Sequence, residues 1–230
     1  ISNRAKLLKV DVSFIPNLYK AFVHKLRVMQ IGSFPLIEEV NPNPEHYNFV
    51  KRFSDFILAL FMIILLSPVL ILVALLIKLD TKGPVLFKHS RVGRDGKLFK
   101  IYKFRSMYTD APVYAVNPTT RNDPRVTKVG RIIRRSSLDE LPQLINVLKG
   151  DMSFVGPRPE MPFIVEKYTD FQRERLKVTP GITGLWQLSG NRSEPIHANM
   201  DYDLYYIRNQ SFALDLAILI ETLIFAFRGI

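Results

Sequence analysis

From Phe56 to Ile77 the chain runs through 22 residues of which only Ser67 and Pro68 are neither apolar nor alanine. As one straight helix this stretch would be about 33 Å long, enough to cross a hydrocarbon core of about 30 Å. Ser67-Pro68 falls near its middle, where proline removes a helix hydrogen bond and clashes with the preceding turn. Lys51 and Arg52 precede it and Lys78, Lys82 and Lys88 follow it, so the positive-inside rule sends neither end outside. Two readings meet these facts. One is an ordinary kinked span; the other is a re-entrant helix-break-helix that turns at Ser67-Pro68 and returns, each arm too short to cross.

Downstream the apolar period shortens. Val85–Val92 and Lys97–Met107 flank Gly93-Arg94-Asp95-Gly96, and an Asp-Gly pair between alternating runs predicts a basic β-hairpin. Residues 111–124, rich in Pro and Asn, read as a loop, and Val126–Arg135 as a short helix. Ser137 and Glu140 have capping-box spacing, which opens a helix at Leu138 running to Leu148; Pro142 offers a second start, at Pro142 itself. Phe163–Leu176 predicts one further helix. Phe212–Phe227 is apolar but interrupted by Asp215 and Glu221, too short and too charged to span, so it belongs in the membrane interface or against the long apolar element. Upstream, Leu7–Ile15 predicts a strand and Pro16–Arg27 a helix, while Pro35, Pro42 and Pro44 mark a linker. These elements make the fold class α+β, a membrane-associated domain with interfacial amphipathic helices.

Charge sharpens the picture. The net charge is +11, and residues 78–135 hold fifteen Lys/Arg against four Asp, so this one segment carries the whole excess. Such a segment suits nucleic acid, anionic lipid or a phosphorylated substrate on charge alone; the adjoining apolar run argues against nucleic acid. The chain has no cysteine, which excludes disulfides and thiolate metal sites, and His24, His46, His89 and His197 lack zinc-ligand spacing. It has neither a dinucleotide-binding nor a P-loop glycine pattern, so phosphate must be held by Arg, Lys, helix ends and a metal.

The candidate chemistry gathers between Arg134 and Pro159. Asp139 and Glu140 are adjacent, about 100° apart around a helix, so they face different directions and suit two roles. A helix start there would favour ionised carboxylates and could hold a phosphate. Arg134 precedes them, and an arginine fork matches phosphate oxygens where lysine does not. The plainer alternative is that Glu140 caps a helix and Asp139 stabilises its first turn. Trp186, the lone tryptophan, reads as packing and stays outside the site.

Lys103-Phe104-Arg105-Ser106-Met107, Ser137-Leu138-Asp139-Glu140-Leu141-Pro142-Gln143, Val147 to Ser153, Val155-Gly156-Pro157-Arg158-Pro159 and Pro180-Gly181-Ile182-Thr183-Gly184 together resemble the bacterial sugar transferases. These are the monotopic polyprenyl-phosphate phosphoglycosyl transferases, and the likeness covers about residues 51–230. The resemblance implies a re-entrant membrane helix over 50–78, turning at Ser67-Pro68, and a cytosol-facing catalytic domain over 79–230. Residues 1–49 would then be the end of an N-terminal soluble module with its linker, and the chain part of a longer protein. It implies transfer of a sugar 1-phosphate from a UDP-sugar to undecaprenyl phosphate with release of UMP, at the bacterial inner membrane, in O-antigen, capsule or exopolysaccharide assembly. Asp139 would be the nucleophile, with Mg²⁺ held by Asp139 and Glu140; orienting the lipid phosphate is the other role open to Glu140. Lys103, Arg105, Arg134 and Arg158 would bind substrate phosphate, and Asp203, ahead of Tyr205 and Tyr206, a metal or the nucleotide. Direct transfer with Asp139 only binding metal, and a non-catalytic basic membrane adaptor, are the competing readings. The oligomeric state is open, a homodimer among the options.

Overall fold

The computed structural model describes residues 26–31, 34–39, 45–112, 123–189 and 195–228. The strand expected over 7–15, most of the helix expected over 16–27 and most of the loop expected over 111–124 lie outside the described residues. The chain divides into two compact units, Ile1–Pro42 and Asn43–Ile230.

In the first unit, β1 (Leu26–Ile31) and β2 (Phe34–Glu39) pair antiparallel, with Ile31 opposite Phe34. Leu26 and Arg27, expected to end a helix, therefore open a strand, and Pro35, expected in a linker, lies opposite Gln30. Each strand of a two-stranded ribbon has an unpaired edge, where the N–H that proline lacks is not needed.

The second unit begins with α1 (Glu45–Asp80), a helix of 36 residues that continues through Ser67 and Pro68. The pair does not divide the element into two helices joined by a loop. Proline removes one hydrogen bond from a long ladder, and the Ser67 hydroxyl donates to Ile64 O at 2.8 Å. Lys51, Asp55, Ala59, Val73 and Ile77 are buried at helical spacing on one face, whereas Leu60, Phe61, Ile64, Leu65, Ile71 and Leu72 between them are exposed. Ala59 packs in a cluster with Ile101, Val147 and Met152; Val73 and Ile77 pack with Phe104 and Ile133. Both arms thus rest on the same domain.

β3 (Leu86–Val92) and β4 (Leu98–Phe104) pair antiparallel from Leu86↔Phe104 to Val92↔Leu98. Their turn is a 3₁₀ segment, Arg94–Gly96, in which Asp95 and Gly96 take φ of 56° and 76°, a conformation that Asp and Gly tolerate best. After it, α2 (Lys128–Arg135) is capped by Thr127, whose Oγ1 accepts from Gly130 N at 2.9 Å. The expected helix over 138–148 is instead a 3₁₀ turn, Leu138–Gln143, followed by α3 (Leu144–Lys149). Its capping box does not form. Ser137 is left-handed at φ 55° without a side-chain cap, and the Glu140 carboxylate is taken by cations.

β5 (Ser153–Val155) pairs in parallel with β6 (Gly181–Thr183). Between them the helix expected over 163–176 is three pieces: α4 (Pro162–Val165), α5 (Asp170–Arg173) and a 3₁₀ turn at Glu174–Lys177. A capping box of Thr169 and Gln172 restarts the chain there, while Tyr168 and Arg175 turn inward. The unit ends with α6 (Leu185–Leu188), α7 (Met200–Arg208) and α8 (Phe212–Arg228). Asp215, which interrupts the apolar pattern of α8, is buried, and its carboxylate accepts from Tyr47 O–H at 2.8 Å and Lys51 Nζ at 2.5 Å. It ties α8 to the start of α1, leaving Phe212, Leu216, Ile220 and Leu223 exposed.

Candidate active site

Four segments converge. β4 carries Lys103, the last turn of α2 carries Arg134, the 3₁₀ segment after α2 carries Asp139 and Glu140, and the loop after β5 carries Arg158. That loop is held by its backbone: Arg175 donates to Arg158 O at 2.8 Å, Arg91 to Pro159 O at 3.2 Å, and Gly181 N to Pro157 O at 3.0 Å. Gly156 permits the approach, since a Cβ there would lie 2.5 Å from Thr179 O.

Glu140 Oε1 accepts from Lys103 Nζ at 2.6 Å and from Arg158 Nη2 at 2.9 Å. Burial works against its charge, but Arg158 and Lys103 outweigh burial and hold the carboxyl well below the glutamate range. Glu140 is thus a fixed anion that clamps two cations, not a group poised to exchange a proton. Asp139 behaves in the opposite way. Burial pushes its carboxyl above the aspartate range; Lys103 opposes that, Glu140 adds to it and Arg134 opposes it. The helix-start stabilisation expected from sequence is overridden, because a short 3₁₀ segment supplies little dipole against the loss of solvent. Burial likewise lowers the Lys103 pKa, against the pull of Glu140.

Asp139, Lys103 and Arg134 border a cavity of about 320 Å³, which His89 and Arg91 also line and to which Phe87, Met107, Tyr108 and Met161 give an apolar side. Among the described residues Arg134 makes no ion pair, although its charge acts on Asp139 and Asp123 from farther away. The geometry brings together Lys103, Arg134, Asp139, Glu140 and Arg158. Arg105 reaches the cavity wall, but its guanidinium donates to Thr81 O at 2.8 Å, Thr81 Oγ1 at 2.7 Å and Lys82 O at 3.0 Å. These bonds clasp the exit from α1, while the Arg105 Nε is buried without a hydrogen-bond partner among the described residues.

Asp203 lies elsewhere. It is 3% exposed and ion-paired to Arg175 at 2.8 Å, within a network in which Arg175 also approaches Glu160 at 3.4 Å and Tyr168 donates to Glu160. Because Arg175 also holds Arg158 O, Asp203 stands behind the arginine loop and supports it. Its place in the sequence beside two tyrosines carried no information on this partner, which comes from another element.

His89 and Arg91 were missed by sequence reasoning. The signal was in the hairpin register: Phe87, His89 and Arg91 alternate onto the face that β4 gives to Phe99, Ile101 and Lys103. Among the described residues no three acidic or histidine side chains cluster as a metal cage. Asp139 and the Glu140 oxygen not taken by Lys103 and Arg158 are the two carboxylate groups here that could contribute to holding a divalent cation.

The bacterial sugar transferase family model matches residues 46–229. An undecaprenyl-phosphate glucose phosphotransferase of Komagataeibacter xylinus is 41% identical over 96% of this chain and 44% of its own length. An undecaprenyl-phosphate galactose phosphotransferase of Salmonella typhimurium is 39% identical over 94% of this chain and 46% of its own. The chain therefore spans about half the length of these relatives. An exopolysaccharide production protein of Rhizobium leguminosarum is 43% identical over 76% of this chain and 94% of its own length. With most of the second unit covered by the family model and a whole relative matched nearly end to end, the chain belongs to the bacterial sugar transferase family.

Proposed function

We propose that the domain transfers a sugar 1-phosphate from a UDP-sugar to a polyprenyl phosphate, releasing UMP. The observation that carries this is the buried Asp139 beside a cavity bordered by Lys103 and Arg134, with Glu140 locked as an anion between Lys103 and Arg158. One Asp139 oxygen attacks the sugar-linked phosphorus, and the bond from that phosphorus to the bridging oxygen breaks, UMP leaving with that oxygen. The phosphosugar-aspartyl intermediate is then attacked by a polyprenyl phosphate oxygen, which frees the Asp139 carboxylate and leaves a lipid diphosphosugar. No proton need be removed from either nucleophile, which agrees with a Glu140 that does not titrate near neutral pH. Arg134 binds the transferring phosphoryl oxygens, and Lys103 and Arg158 offset the charge that two anionic reactants bring together. Asp139 and Glu140 would hold Mg²⁺, which supplies further neutralisation of the diphosphate.

The membrane reading follows from α1. Its N-terminal arm packs in the Ile101 cluster and its C-terminal arm in the Phe104 cluster, a few residues apart along β4. A straight helix of this length would set its ends about 54 Å apart. A bend at Ser67-Pro68, with the exposed apolar centre in one leaflet, lets both arms return to a domain on the cytoplasmic face of the inner membrane. The exposed row Phe212, Leu216, Ile220 and Leu223 lets α8 lie in the same interface. In this reading residues 1–49 close an N-terminal module, 50–78 form the re-entrant element and 79–230 the catalytic domain. UMP release measured with UDP-glucose or UDP-galactose, Mg²⁺ and undecaprenyl phosphate tests the activity; no release with either sugar, or release unchanged in Asp139→Asn, overturns it.

A further inference from the structure

His89 has no part in the chemistry above, yet it is built into the cavity wall. It is 6% exposed, packs its ring against Phe87 with centroids 5.1 Å apart, and accepts at Nε2 from Arg91 Nε–H at 2.8 Å. Arg91 is itself fixed by its bond to Pro159 O at 3.2 Å, so the ring cannot easily turn. An imidazole nitrogen that accepts a hydrogen bond carries no proton, which places the proton of the neutral ring on Nδ1. The ring is neutral because burial first, then Arg91, Lys103, Arg158 and Lys100, push its pKa down to about 3.

Nδ1 is buried and has no hydrogen-bond partner among the described residues. Buried donors are nearly always paired in native proteins, so an unpaired Nδ1 on a residue that lines a cavity calls for an acceptor supplied from outside the chain. The register says which part of a ligand it meets. Phe87 stands opposite Lys103 and His89 opposite Ile101, so His89 and Lys103 are diagonal neighbours on one face, about 7–8 Å apart between backbones. His89 therefore lies on the Lys103 side of the cavity, where an anion would be held. Cations there supply charge, but a lysine ammonium supplies little direction; a fixed N–H supplies direction without further charge.

We propose that His89 is a substrate-binding residue whose neutral Nδ1–H donates to a phosphoryl oxygen of the diphosphate of a nucleotide-sugar lying beside Lys103. The inference rests on the sugar-phosphate transfer reading of the same cavity.

The test uses the protein in detergent with ¹⁵N-labelled histidine, the His89 signals being assigned by replacing His24, His46 and His197 in turn. The expected spectrum shows a ring protonated on Nδ1, and its Nδ1–H signal shifts on addition of UDP or UDP-glucose. In kinetics, His89→Phe raises KM for the UDP-sugar roughly tenfold or more with a smaller change in kcat. His89→Asn, whose amide nitrogen falls near the place of Nδ1, restores most of the loss. A ring protonated on Nε2, a signal unmoved by a nucleotide that the protein demonstrably binds, or an unchanged KM in His89→Phe overturns the assignment while leaving the transfer reading intact. Wild-type protein that binds neither UDP nor any UDP-sugar overturns both. Should His89→Phe fail to fold, the wild-type spectrum decides alone.

Discussion

Replacing Asp203 by Asn separates a support from a ligand. In the structure Asp203 and Arg175 are 3% and 2% exposed in their side chains and 2.8 Å apart. Removing one partner of such a buried pair costs about 3–5 kcal/mol when the other is stranded. Arg175 is not wholly stranded, since Glu160 remains 3.4 Å away and Tyr168 keeps its hydroxyl beside it. About 2–3 kcal/mol is then the expected loss, or roughly 5–10 °C in Tm for a domain of this size. Activity should fall with it, because Arg175 also holds Arg158 O, but the Mg²⁺ concentration giving half-maximal rate should not move. Differential scanning fluorimetry with a Mg²⁺ titration of UMP release measures both. An unchanged Tm with a large shift in Mg²⁺ or UDP-sugar dependence would refute the placement and make Asp203 a ligand.

Other outcomes follow from the same geometry. In the proposed transfer Asp139 attacks as an anion, and burial raises its pKa with a smaller contribution from Glu140, so the rate should fall as pH drops through that raised value. Glu140→Gln, which removes that contribution, should move this acid limb to lower pH while lowering kcat. Arg158→Lys keeps the charge but loses the fork, so a fall in kcat of roughly tenfold or more is expected in steady-state assays even though Glu140 stays paired. Gly130→Ala would set a Cβ 2.0 Å from Ser106 O, so chemical denaturation should show about 1–3 kcal/mol lost at the helix that presents Arg134. In this chain without cysteine, single variants His46→Cys and Lys82→Cys at the two ends of α1 should both label from the cytoplasmic side of sealed vesicles; labelling from opposite sides would establish a crossing.

Local pattern made the long apolar helix, the basic hairpin and the short helix before Asp139 legible, because each rests on period and turn chemistry within its own residues. The failures have a common cause. Glu140 abandons the capping role its spacing suggested because Lys103 and Arg158, brought from other elements, bind the carboxylate more strongly than a backbone N–H does. The helix expected from Phe163 to Leu176 breaks because Tyr168 and Arg175 are drawn into a buried network with Glu160 and Asp203. At the site, motif order marked Asp139, Glu140, Lys103 and Arg158 together, and the short helix ending just before them added Arg134. It could not tell that Arg105 donates to Thr81 and Lys82, or that Asp203 faces Arg175, since these partners are set by tertiary packing alone. His89 was weighed only as a zinc ligand, because a lone histidine has no other spacing to read until the register puts it near Lys103.

The most direct test of the central claim is intact-protein mass spectrometry after mixing detergent-purified protein with Mg²⁺ and UDP-glucose or UDP-galactose, without lipid acceptor. The account predicts a mass gain of one sugar phosphate, absent in Asp139→Asn and discharged by undecaprenyl phosphate. UMP release that appears only when lipid is added, with no adduct at any time, would contradict covalent transfer through Asp139.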